Sequence, residues 1–277
     1  MEMEEQYVNS AQTKEFLELV GPWERDAAAY REATKRRSEI DVAYGAEAGQ
    51  KVDVFFPEGG DDKKTRSVVL FIHGGYWQSM GKSFFSHYAR GANERGLTVA
   101  VVGHTLCPNA TMSAVVKEIA QAAAFVSQRF DRRVTVCGHS SGGHLAACIA
   151  SDRWREIGPL SSPQPVSGAL IISGLFDLEP LLQTTLNGAL QLEAAEARRL
   201  SPIHWSAAPG QRVVAYVGGR ETSEFHRQTR DFAATWKGRG GNVTTVEVAG
   251  ASHFSVAEPL TNPDSAQTRD LVSLATS

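Results

Sequence analysis

Ten consecutive residues, Val134-Thr135-Val136-Cys137-Gly138-His139-Ser140-Ser141-Gly142-Gly143, constrain the fold more than any other stretch of this chain. β-Favouring residues run directly into a G-x-S-x-G turn. A small-residue helix pattern follows at once in His144-Leu145-Ala146-Ala147-Cys148-Ile149-Ala150. A strand that turns straight into a helix needs a sheet on which that helix packs back, and glycine lets the two backbones approach. A serine at the tip of such a turn sits in strained backbone with its Oγ above the sheet. The N–H of the next residue then points to where an oxyanion would form. Ser140 is therefore the candidate nucleophile. Glycine and serine are common here, so the motif needs support from the rest of the chain.

The flanking segments alternate in type. Ser67–Ile72 is almost wholly apolar, as a strand covered on both faces of a parallel sheet is. Further buried strands are read at Leu97–Val102, Gly168–Ser173, Arg212–Val217 and Val243–Val248. Helical patterns lie between them: Phe85, Tyr88 and Ala92 on one face, then Val115, Ile119, Ala122 and Val126, then Phe225–Trp236, and finally Asp264–Ala275. Ile40–Tyr44 and Lys51–Phe56 alternate apolar and polar residues and lead in as antiparallel edge strands. The pattern predicts an α/β fold with a mostly parallel, doubly wound sheet of about eight strands. Residues 1–38 are expected to form an N-terminal helical cap segment, anchored by Trp23 and Tyr30 on one face. Residues 39–277 form the main domain, with a leucine-rich helical cap inserted at about 176–209 over the active-site end of the sheet.

Composition narrows the function classes. With 277 residues and 42% hydrophobic content the chain supports a full core. A net charge of −3 gives no reason to expect nucleic acid or an anionic membrane as partner. No apolar stretch approaches the about 18 residues that span a bilayer. The acidic start Met1-Glu2-Met3-Glu4-Glu5 lacks the apolar region of a secretory signal. Cys107, Cys137 and Cys148 are an odd, sparse set that reads as buried thiols, so a reducing cytoplasm is the expected compartment. Neither H-E-x-x-H nor paired C-x-x-C occurs, and no metal or cofactor is expected. The expected partner is a small-molecule substrate, with a homodimer left open. Gly75 to Ser83 resembles a phosphate-binding loop, but five residues separate its glycines where that motif has four.

A serine hydroxyl needs an adjacent base, and the base needs an orienting acid. Where a G-x-S-x-G turn carries the nucleophile, the acid and then the histidine follow it in the chain. Of the histidines after Ser140, His144 is too close in sequence, His204 falls in the inserted cap and His226 on a helix. His253 lies in the loop after the last strand and is the expected base. The acid belongs just past Val213–Val217, where Gly218-Gly219-Arg220-Glu221-Thr222-Ser223-Glu224 contains no aspartate. Glu221 is the first choice and Glu224 the second; Asp177 reads as a carboxylate anchoring the cap. His73-Gly74-Gly75 follows an earlier buried strand, so Gly74 and Gly75 are expected to join Ser141 in offering backbone N–H groups to an oxyanion.

His73-Gly74-Gly75-Tyr76-Trp77 resembles the HGGYW signature of the arylformamidases (kynurenine formamidases), α/β-hydrolases within the hormone-sensitive-lipase-like esterase group. Gly138–Leu145 resembles their nucleophile motif, and Leu106-Cys107-Pro108, Ser223-Glu224-Phe225 and His253-Phe254 are similar as well. The resemblance implies the α/β-hydrolase fold and hydrolysis of N-formyl arylamines, such as N-formylkynurenine, through Ser140, Glu221 and His253. It also implies one departure, since that family usually carries aspartate where this chain has Glu221. Tyr76 and Trp77 are expected to wall a flat substrate, with Trp205 and Phe254 as further pocket residues. A carboxylesterase acting on small acyl esters with the same machinery is the alternative.

Overall fold

The computed structural model describes residues 2–8, 10–60, 67–159 and 163–277. Met1 of the acidic N-terminus and Asn9 of the expected helical cap lie outside them. The described chain opens with α1 (Glu2–Tyr7) and α2 (Ser10–Thr34), then β1 (Ser38–Ala43), β2 (Lys51–Phe55) and β3 (Ser67–Ile72). It continues through α3 (Arg90–Glu94), β4 (Val99–Val102), α4 (Met112–Phe130), β5 (Arg133–His139), α5 (Ser141–Ile149), α6 (Trp154–Ile157) and β6 (Val166–Ile172). α7 (Asn187–Leu190), α8 (Ala194–Arg199), β7 (Arg212–Gly218), α9 (Ser223–Gly238), β8 (Asn242–Val248) and α10 (Ala266–Thr276) complete it.

The eight strands form one sheet in the order β1-β2-β4-β3-β5-β6-β7-β8. β2 is antiparallel to both neighbours, and every pair from β4 to β8 is parallel. This is the doubly wound arrangement that the alternating pattern predicts. The wholly buried strand β3 shows why: its two side-chain sets enter two different cores. Val68, Leu70 and Ile72 pack under α4 and α5, while Val69 and Phe71 face the layer holding Phe85, Tyr88 and Leu271. From β3 the chain moves outward to β4, then crosses back to β5 on the other side of β3. Loops leaving the carboxyl ends of β3 and β5 part there, and such a switch point leaves a crevice for a ligand.

Local details follow the sequence with some shifts. Val115, Ile119, Ala122 and Val126 are all fully buried on α4, whose first turn is capped by Thr111 accepting from the Ala114 N–H at 3.2 Å. The expected helix through Phe85, Tyr88 and Ala92 is instead two 3₁₀ turns, Lys82–Phe84 and Ser86–Ala89, feeding the short α3. The three side chains are buried as expected, because tertiary burial decides what a short amphipathic segment does. α2 is a single helix with Pro22 inside it. Trp23, Ala27, Tyr30 and Thr34 are buried along one face at helical spacing. The Trp23 Nε1–H donates to Glu258 Oε1 at 2.7 Å, and the Tyr30 hydroxyl to Asn93 Oδ1 at 2.5 Å. Between β6 and β7 lie α7, α8 and two 3₁₀ turns.

Candidate active site

β5 delivers the turn that carries Ser140. Ser140 has φ 57° and ψ −122°, a conformation barred to most side chains and held here by the Ser140 N–H donating to Ile172 O at 2.9 Å. Steric demand explains the flanking glycines. A Cβ on Gly142 would stand 2.1 Å from Ile72 O, and one on Gly138 2.2 Å from Gly142 O, so α5 could not sit where it does.

At that turn three side chains from separate loops converge. The Ser140 hydroxyl donates to His253 Nε2 at 3.0 Å, and the His253 Nδ1–H donates to Glu221 Oε2 at 2.7 Å. The other carboxylate oxygen, Oε1, accepts from the Ser173 hydroxyl at 2.5 Å and the Gly218 N–H at 2.6 Å. Burial by itself would raise the Glu221 carboxyl. The His253 charge and the hydrogen bonds from His253, Ser173 and Gly218 outweigh it and hold the group below the ordinary glutamate range. Glu221 reaches inward from a turn closed by its own N–H donating to Gly218 O at 3.1 Å. Phe225 packs on the His253 ring with centroids 4.3 Å apart.

The other acids have different partners. Glu224 accepts from the Tyr7 hydroxyl at 2.8 Å and from Arg227 Nη2 at 2.5 Å, joining α1 to α9. Asp177 accepts from Arg227 Nη2 at 3.0 Å and from the Glu179 N–H at 3.2 Å. Neither faces His253.

After β3, His73 donates from Nδ1 to Gly74 O at 2.7 Å, which fixes the peptide between the two glycines. A Cβ on Gly74 would stand 3.1 Å from Ser140 Cβ, so this loop lies directly against the serine. Gly75 has φ 120°, and its carbonyl turns away to accept from the N–H groups of Gln78 and Ser79. Among the described residues no group accepts from the N–H of Gly74, Gly75 or Ser141. Three main-chain donors are thus left at the edge of a cavity of about 200 Å³ that Gly74, Gly75 and Ser140 line.

That cavity is aromatic: Tyr7, Phe16, Trp23, Tyr76, Phe85 and Phe254 supply most of its wall, with His139 and His253 beside Ser140. α1, α2 and the link between them provide more of it than residues 176–209, which contribute Leu186 alone. Tyr76 and Phe254 line it.

Two expected pocket residues do not. Trp77 is 1% exposed and packs into the core with its ring edge-on to His144 at 5.1 Å. Tyr76 and Trp77 both have positive φ, 49° and 58°, and the turn sends the first side chain to the cavity and the second beneath it. Trp205 is buried near Ala207, which pairs with Ser151 beyond the C-terminal end of α5. α5 begins at Ser141 and is roughly 13 Å long at 1.5 Å per residue, so Trp205 lies at the far end from the serine.

Sequence reasoning missed Ser173, His139, Tyr7 and Phe16. Ser173 stands at the carboxyl end of a buried strand, a position that could have pointed to it. The two aromatics have no periodic link to a serine so distant in the chain. Among the described residues no three His, Cys, Asp or Glu side chains converge as metal ligands do.

The family profile BD-FAE matches residues 52–161. A kynurenine formamidase of Salmo salar is 31% identical over 250 residues, covering 85% of this chain and 83% of that protein. The chain belongs to the kynurenine formamidase family. A second member, from Danio rerio, is 29% identical over 260 residues, 89% of this chain and 87% of its own. A crystal structure of a candidate thioesterase from Silicibacter sp. tm1040 superposes over 100% of both chains with a TM-score of 0.88 and 31% identity. An esterase from Pyrobaculum calidifontis shares the fold alone, with a TM-score of 0.71 and 18% identity over 93% of this chain and 92% of that one. Membership makes this α/β-hydrolase chain an enzyme of the hydrolase class. Among the described residues no helix is long and apolar enough to cross a membrane.

Proposed function

We propose that this chain hydrolyses the formamide bond of N-formyl arylamines, N-formylkynurenine among them, through a formyl-enzyme on Ser140. The observation that supports this reading most is the hydrogen-bonded series Ser140–His253–Glu221 opening on an aromatic cavity beside three main-chain donors. Ser140 Oγ attacks the formyl carbon and its proton passes to His253 Nε2. The carbonyl oxygen becomes an oxyanion held by the N–H groups of Gly74, Gly75 and Ser141. As the C=O reforms, the C–N bond breaks and His253 gives its proton to the departing nitrogen, which leaves as the arylamine. Water then loses a proton to His253 and attacks the formyl ester. Collapse expels Ser140 Oγ, which recovers the proton, and formate leaves. Glu221 remains ionised and stabilises the imidazolium formed twice in the cycle. Tyr76 and Phe254, with Phe16 and Trp23, hold the aryl ring by its faces and edges. The buried free thiols Cys107, Cys137 and Cys148 support a reducing, cytoplasmic setting.

The test is formate release from N-formylkynurenine and formanilide, run beside p-nitrophenyl acetate. Turnover of the formamides is expected, with Ser140→Ala lowering kcat by about 10³-fold or more while a residual rate from the oxyanion donors persists. Cleavage of the acetate without any deformylation would replace this reading with a carboxylesterase. Failure of a fluorophosphonate to label Ser140 would remove both.

A further inference from the structure

His139 occupies the variable position just before the serine, and its two ring nitrogens face different tasks. The Nε2–H donates to the main-chain carbonyl of His253 at 2.7 Å, tying the nucleophile turn to the loop that carries the base. Its ring lies 5.0 Å from that of His253 and lines the cavity with Ser140. Burial, and after it the charge of His253, pushes the His139 pKa down to about 3, so near neutrality the ring is uncharged. With the single proton committed to Nε2, Nδ1 presents a lone pair. No described residue donates to Nδ1, and it is not among the sealed-off polar atoms, so it opens on the cavity its ring lines. It stands 3.5 Å from the place a Cβ on Gly74 would occupy, on the same wall as the oxyanion loop.

An amide poses a problem there that an ester does not. When Ser140 attacks, the amide nitrogen becomes pyramidal and must turn its new lone pair toward His253 to be protonated. Its N–H then points elsewhere, away from water and into an aromatic wall, and an unpaired buried donor is costly. We infer that His139 is a specificity-determining residue whose Nδ1 accepts the hydrogen bond of the scissile N–H, favouring secondary amides over substrates that lack that hydrogen. This rests on the amidase reading above and adds a discrimination that the triad alone does not provide.

The experiment compares formanilide with N-methylformanilide, which has no N–H, and with phenyl formate. Each rate is divided by that for alkaline hydrolysis. The wild-type protein is expected to prefer formanilide over its N-methyl analogue by about tenfold after this correction, the worth of one such hydrogen bond. His139→Gln retains an N–H able to reach the His253 carbonyl but leaves its amide oxygen away from the Nδ1 position, so the preference should fall toward one. Its formanilide rate should also drop more than its phenyl formate rate. His139→Asn places an amide oxygen near the Nδ1 position but cannot reach His253, so it should keep the preference while losing rate on all three substrates. A preference unchanged in His139→Gln overturns the inference and leaves His139 as a tether only. A wild-type preference absent after correction overturns it without any variant. Cleavage of phenyl formate with no turnover of formanilide refutes the amidase reading itself, and this inference with it.

Discussion

The Ser173 hydroxyl donates to Glu221 Oε1 at 2.5 Å, and this contact leaves the opposite carboxylate oxygen for His253. Ser173 achieves this from a positive φ of 50° just past β6, with its N–H bonded to Tyr216 O at 2.8 Å. The acid is therefore oriented by two neighbouring strands, β6 through Ser173 and β7 through Gly218.

Ser173→Ala should lower kcat by about tenfold, since a hydrogen bond to a buried charge is worth about 1.5–3 kcal/mol and the Gly218 N–H remains. The pH dependence of stability has a definite sign. Glu221 is depressed in the folded state, so its contribution is present above the unfolded glutamate pKa and lost as pH falls through the folded value. Removing Ser173 raises that folded value, and the acid limb of Tm against pH should move to higher pH. Unchanged kcat and an unmoved limb would show that Gly218 holds the carboxylate alone.

Glu221→Gln and Glu224→Gln should separate cleanly. The first removes the partner of His253 Nδ1, and loss of such an acid lowers kcat by about 10⁴-fold in the Ser-His-Asp template. The second should change kcat by less than about threefold and lower Tm, because it loosens Tyr7 and Arg227. Burial works to raise Glu224, but Arg227, Tyr7 and Gln228 hold it below its ordinary value. Its stabilisation is thus complete above the unfolded pKa and lost on acidification. The Tm gap between wild type and Glu224→Gln should close as pH drops below about 4. Steady-state kinetics and melting curves across pH check both.

Phe16→Ala should raise KM for formanilide by about tenfold, the loss of about 1.5 kcal/mol of aromatic contact, with kcat for small acyl esters less affected. Phe16 lines the cavity and packs on Phe254 with centroids 5.9 Å apart. An unchanged KM would mean that the aryl ring does not rest on α2.

Trp77→Ala should cost about 3–5 kcal/mol of stability, as removal of a fully buried large aromatic does. Trp205→Phe should leave KM for formanilide within about twofold, since the residue lies at the far end of α5. Chemical denaturation and Michaelis curves read these two effects. A rise in KM for Trp205→Phe would contradict its position.

How much of this was legible beforehand depends on the kind of constraint. β3, β5 and β6 could be read because strands covered on both faces carry runs of apolar and β-favouring residues. The helix expected through Phe85, Tyr88 and Ala92 is broken into 3₁₀ turns because that apolar spacing suits 3₁₀ and α-helical turns alike. Ser140, Glu221 and His253 could be named from the order of loops at strand ends, which topology fixes. The direction of a side chain within a loop is not fixed that way. Tyr76 and Trp77 are adjacent and chemically alike, yet only backbone angles decide which faces the cavity. The same holds for Phe16, whose role arises because α2 is pinned over the sheet by Trp23 and Tyr30.

The space denied to a side chain at Gly142 separates two records written in one short motif. Its glycine is required by the carbonyl of Ile72, a matter of how helix meets strand and indifferent to any reaction. An inert descendant of this protein would have to keep Gly138 and Gly142 in order to fold, while its serine could drift without penalty. In such lineages the glycine spacing testifies to architecture, and only the hydroxyl between them testifies to chemistry.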